Sequence, residues 1–85
     1  MKNKVIIKLI VPEIDKEYNI YLPVSLKIGN IINLLNKSIS ESTNGELKLS
    51  NSNSLYNALT NEKYTPDVLL YNTNIRNGTV LVLIS

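Results

Sequence analysis

The chain has 85 residues, no cysteine and no histidine, with nine basic against seven acidic residues for a net charge of +2. That length holds a single domain, residues 1–85, with one core. The composition removes disulfides, zinc sites of the usual kind and Ser/His or Cys/His nucleophilic catalysis.

Apolar residues make up 44% of the chain while Phe and Trp are absent, so aliphatic side chains and tyrosines must build the core. Residues 4–11, KVIIKLIV, are β-branched and short enough for a strand. Pro12 ends it, because proline cannot donate to a sheet ladder. PEIDKEY reads as a hairpin loop. In YNIYL (18–22), Tyr18, Ile20 and Leu22 alternate with Asn19 and Tyr21, the period of a strand with one buried face. Pro23 closes this second strand.

From Lys27 the period changes. Ile28, Ile31, Ile32, Leu35 and Ile39 fall at i, i+3, i+4, i+7 and i+11, the stripe of an amphipathic helix over about 28–43. Asn30, Asn33, Asn36 and Lys37 take most of the other side. Asn44-Gly45 is a C-terminal stop, since glycine enters the left-handed region freely. ELKLS (46–50) reads as a short strand with Leu47 and Leu49 inward. The Asn/Ser-rich stretch 51–67 has little pattern and accommodates a short strand or one helical turn around Leu55–Leu59. In 68–75, Leu70 and Ile75 are anchors in an irregular connection. Thr79–Ile84 is a last strand with aliphatics on both faces. One sheet covered on one face by one helix is the α+β arrangement that this order of elements implies.

The remaining chemistry is sparse. Glu13, Asp15 and Glu17 lack the ligand run and distal glutamate of a calcium loop, and read as a solvated acidic turn balanced by Lys16. Glycines 29, 45 and 78 are too far apart to cradle phosphate. The expectation is a non-enzyme with no metal and no cofactor. Arg76 is the only arginine and the lysines are scattered, so nucleic acid is not an expected partner. No stretch reaches the ~20 apolar residues of a membrane span. The N-terminal apolar run is interrupted by Lys8 and lacks a cleavage site, so direct membrane insertion and secretion are not expected. A cysteine-free chain fits a reducing, cytoplasmic location.

YNIYLPVSLKIGNIINLL (18–35) and NTNIRNGTVLVLI (72–84) carry a family resemblance. A Tyr-x-aliphatic-x-aliphatic-Pro strand leads into an aliphatic helix, and an x-Ile-x-Asn-Gly turn leads into an aliphatic last strand. In these features the chain resembles the ubiquitin-like β-grasp proteins, and among them the small YukD/EsaB group associated with type VII (ESX-like) secretion in Gram-positive bacteria. The resemblance implies a mixed sheet with the first and last strands parallel at its centre and a single ubiquitin-like domain. It also implies a non-catalytic accessory or adaptor acting through protein contacts, with a membrane component of the secretion machinery as partner and weak homo-oligomerisation as a further option. Ubiquitin-like modifiers and sulfur carriers end in a flexible Gly-Gly tail. This sequence ends Leu83-Ile84-Ser85, so the alternative reading as a modifier or sulfur carrier is disfavoured.

Alternation assigns the faces. Val5, Ile7, Leu9, Leu81 and Leu83 are expected to point to the helix. Ile6, Lys8, Ile10, Val80, Val82 and Ile84 then point to the open face, near Tyr21 and Lys48. These eight residues are the candidate partner-binding face, since contiguous apolar surface commonly marks an interface.

Overall fold

A computed structural model describes residues 3–42 and 53–84. Strand β1 (Lys4–Val11) runs into a 3-10 turn at Pro12–Ile14 and returns as β2 (Lys16–Pro23). Helix α1 (Ile28–Ser42) follows, then strand β3 (Ser54–Asn57), a second 3-10 turn at Leu70–Asn72 and strand β4 (Val80–Ile84). The sheet order is β2-β1-β4-β3, with β1 and β4 parallel at the centre and both outer pairings antiparallel.

The hairpin is tighter than the sequence predicts. The 3-10 turn Pro12–Ile14 and Asp15, whose backbone is left-handed (φ 52°), reverse the chain in four residues and let Lys16 pair with Val11. Lys16 and Glu17 therefore belong to the strand and not to the loop. Asp15 is a residue type that enters this region more readily than most.

The core lies between the sheet and α1. Ile7, Leu9 and Val11 of β1, Leu81 and Leu83 of β4, and Ile28, Ile31, Ile32, Leu35 and Ile39 of α1 are all buried. Leu70 and Ile75, on the connection into β4, are completely excluded from solvent. Each such aliphatic contributes about 1.5–3 kcal/mol relative to exposure. Gly29 sits in the first turn of α1 against Pro66, where an added Cβ would meet the Pro66 Cβ at 3.3 Å. Its N–H donates to the Pro66 carbonyl at 3.0 Å, and the Ile28 N–H donates to the Val68 carbonyl. The small residue thus allows the 66–68 backbone to satisfy donors that a helix start leaves open.

The weakly patterned stretch after the helix contains more order than its composition suggests. Leu55 is fully buried, and β3 pairs with β4 from Ser54↔Ile84 to Asn57↔Leu81. The outer side of β3 is covered by the chain itself. The Asn57 N–H donates to the Glu62 carbonyl, the Tyr64 N–H donates to the Leu55 carbonyl, and Tyr56 and Lys63 form a bridge. The strand expected at 46–50 lies outside the described residues, as does Lys48.

Candidate functional site: the open face of the sheet

The side of the sheet away from α1 is set by register. In β1, odd-numbered residues from Ile7 to Val11 enter the core, so Ile6, Lys8 and Ile10 turn outward. Parallel pairing places Lys8 beside Val80 and Ile10 beside Val82. Antiparallel pairing places Ile6 beside Tyr21 and Ile10 beside Glu17. On the far side Tyr56 lies opposite Val82, and Ser54 opposite Ile84.

Two apolar groups result. The larger is a row across three strands, Ile10, Val82 and Tyr56, all half-buried, extended by Ile84 at 43% exposure. The smaller is the pair Ile6 (36% exposed) and Tyr21 (56% exposed). Between them the Lys8 Nζ lies 2.8 Å from Glu17 Oε1. Both side chains are about half exposed, so the pair is worth ~0–1 kcal/mol and is screened by salt. Its effect is on surface pattern: it places a polar bar between two apolar patches.

Seven of the eight residues expected on this face are therefore found there, and Lys48 falls outside the described residues. The acidic turn resolves differently from expectation, because Glu17 is paired with Lys8 on the sheet and not with Lys16 in the loop. Among the described residues no group of three or more His, Cys, Asp or Glu side chains could hold a metal ion. Tyr56 was not legible as a face residue. Its neighbour Asn57 is buried, which breaks the apolar–polar alternation that identifies a strand. Asn57 is tolerated inside because its Nδ2 donates to the Tyr64 hydroxyl at 3.1 Å and its Oδ1 accepts from the N–H groups of Leu59 and Thr60.

Tyr64 anchors the segment that covers β3. Its ring is buried, and its hydroxyl donates to Asn74 Oδ1 at 2.6 Å while accepting from Asn57. Burial raises its pKa above the ordinary tyrosine value; the Asn57 hydrogen bond works in the opposite direction, and nearby Glu62 adds to the rise. The neutral phenol is the form that fits this network.

Among the described residues no helix is long and apolar enough to cross a membrane. No protein-family model matches the chain, and no curated protein matches it in sequence. Solved structures match it in shape. A chain of the MycP5-free ESX-5 inner membrane complex aligns with a TM-score of 0.77 at 14% identity, over 96% of this chain and 21% of that one. The present chain thus spans about a fifth of that protein. The ubiquitin-like domain of the Mycobacterium tuberculosis type VII secretion system protein ECCD1 aligns with a TM-score of 0.72 at 12% identity, over 96% and 98% of the two chains. The ubiquitin-like domain of the Arabidopsis thaliana protein At2g32350 aligns with a TM-score of 0.69 at 12% identity, over 96% and 77%. Identities this low speak for fold and not for function. The four-stranded mixed sheet, its parallel centre and its single helix are those of a ubiquitin-like β-grasp domain.

Proposed function

We propose that the protein is a non-catalytic, cytoplasmic accessory or adaptor of a type VII secretion system, of the YukD/EsaB kind. It binds a protein component of the machinery through the open face of its sheet. The observation that carries this reading is the apolar row Ile10–Val82–Tyr56 with Ile84 on the face that the helix leaves uncovered. Strand propensity alone would account for β-branched residues on a central strand. It favours tyrosine and isoleucine at single positions too, but it does not require that four such residues adjoin on one face across three strands with Ile84 left 43% exposed. The likeness in fold to ESX inner-membrane and ECCD1 ubiquitin-like domains supports a secretion-linked role and makes a membrane component of that machinery the favoured partner. These side chains are already partly buried, so covering what remains exposed contributes about 1 kcal/mol each, and the row anchors a complex whose affinity depends on the surrounding contacts as well.

The test is a double variant, Val82→Asp with Ile84→Asp, compared with the parent chain for folding by circular dichroism and for secretion in cells that depend on it. A folded variant that no longer supports secretion is the expected result. Full secretion by the folded variant would refute the reading.

A further inference from the structure

The sequence holds two Asn-Gly pairs, of which Asn44-Gly45 lies outside the described residues and Asn77-Gly78 is exposed just before β4. Such a pair can react without an enzyme. The backbone nitrogen of the second residue attacks the side-chain carbonyl carbon of the asparagine, and glycine has no side chain to hinder it. At Gly78 the approach is open, since among the described residues no atom lies within 4 Å of where a Cβ would stand. What closes the site is hydrogen bonding. The Gly78 N–H donates to the Ile6 carbonyl at 2.9 Å, so the proton that must leave the attacking nitrogen is held. The Ile6 N–H donates to Asn77 Oδ1 at 2.9 Å, which fixes the carboxamide toward β1. Nucleophile and electrophile are thus tied to the two backbone groups of one residue.

We infer that Asn77-Gly78 is a self-modification site that the pairing of β1 with β4 keeps closed and that reacts when those strands part. The step balances without a cofactor. The Gly78 nitrogen bonds to Asn77 Cγ, the Cγ–Nδ2 bond breaks, and ammonia leaves with the Gly78 proton, giving a succinimide. Water then opens the ring, with no change of oxidation state. Attack at Cγ restores the original backbone with aspartate at position 77. Attack at the backbone carbonyl carbon gives isoaspartate, in which the main chain runs through Cβ and Cγ.

The two products differ in what they can remake. Aspartate keeps a side-chain oxygen that accepts from the Ile6 N–H, now as a charge-assisted bond. Isoaspartate adds a carbon to the main chain ahead of Gly78 and draws the γ-carbonyl into the peptide, so the Ile6 N–H and C=O no longer meet partners at their former spacing. The turn around them is pinned on both sides. The Thr79 N–H donates to the Arg76 carbonyl at 3.0 Å, the Arg76 N–H to Thr79 Oγ1 at 2.9 Å, and the Lys8 N–H to the Thr79 carbonyl at 3.0 Å. Central strands open with free energies close to that of global unfolding, so the folded chain is protected. A chain whose central strands have parted carries the isoaspartyl mark irreversibly.

The experiment incubates the whole chain in mildly alkaline heavy-oxygen water and follows position 77 by peptide mapping, with aspartate and isoaspartate resolved by mass spectrometry. The expected rate in native buffer is at least about a hundredfold below that of the same chain unfolded in urea. Where opening is fast relative to reaction, the rate tracks the open fraction. Ile7→Val, which trims a side chain buried under the ladder, therefore speeds the native reaction about two- to tenfold and leaves the rate in urea unchanged. In the purified isoaspartyl product, hydrogen exchange at the Ile6 and Gly78 amides is fast, while the aspartyl product keeps the slow exchange of the parent. A native rate close to the rate in urea, or one that Ile7→Val does not move, would overturn the proposal. So would an isoaspartyl chain no less protected at these amides than the aspartyl one.

Discussion

Asn77 and Ile6, 71 positions apart, are joined by a 2.9 Å hydrogen bond in which the Ile6 N–H donates to the Asn77 side-chain oxygen. The next residue, Gly78, returns its own N–H to the Ile6 carbonyl at 2.9 Å with φ +88°. Together they extend the parallel β1–β4 ladder beyond its last strand pair. The Asn-Gly signal that looks like an ordinary turn is thus the clasp that sets the register of the two central strands.

Loss of that clasp has a definite cost. Asn77→Ala leaves the Ile6 N–H to water and is expected to destabilise by about 1 kcal/mol. Gly78→Ala forces a left-handed residue with a Cβ and is expected to cost about 1–2 kcal/mol, although nothing lies within 4 Å of the added carbon. Urea denaturation measures both, and a neutral Gly78→Ala would show that the turn can relax.

Tyr64→Phe removes the hydroxyl between Asn57 and Asn74. With Asn57 buried, the expected loss is about 1–3 kcal/mol at neutral pH. The pH dependence has a fixed sign. A phenol whose folded pKa is raised keeps its full contribution below the unfolded value near 10 and loses it as pH rises toward the folded pKa. The stability gap between parent and Tyr64→Phe should therefore narrow above about pH 10. A gap that stays constant to higher pH would contradict the network.

The Lys8–Glu17 pair is expected to contribute little to the fold. A double-mutant cycle with Lys8→Ala and Glu17→Ala should give a coupling of less than about 1 kcal/mol that shrinks with added salt. Coupling well above that would mean the pair is shielded from solvent by neighbours.

The sequence made some of this architecture plain and hid the rest. Strand β1 and helix α1 are legible because their apolar residues keep one period: every second residue in KVIIKLIV, and the 3.6-residue stripe from Ile28 to Ile39. Leu81 against Val82, and Leu9 against Ile10, follow from the same alternation once the strands are placed. Strand β3 is not legible, because Asn53 just before it and Asn57 at its end are buried, held in part by side chains distant in sequence. The Asn53 Nδ2 donates to Asn36, 17 residues earlier, and Asn57 reaches forward to Tyr64. Tyr56 was missed for that reason. The place of β2 at one end of the described sheet was hidden for another: it is a property of sheet order, and the alternation within YNIYL is the same at an end or at the centre.

The most direct test of the central claim places a photo-cross-linking residue at Val82 or Ile84, and in parallel at Lys37 on the outer face of α1, in cells that carry the secretion system. The account expects Val82 and Ile84 to yield a cross-link to a component of the secretion machinery that the Lys37 position does not give. Cross-links from Lys37 alone, or the same product from both faces, would contradict it.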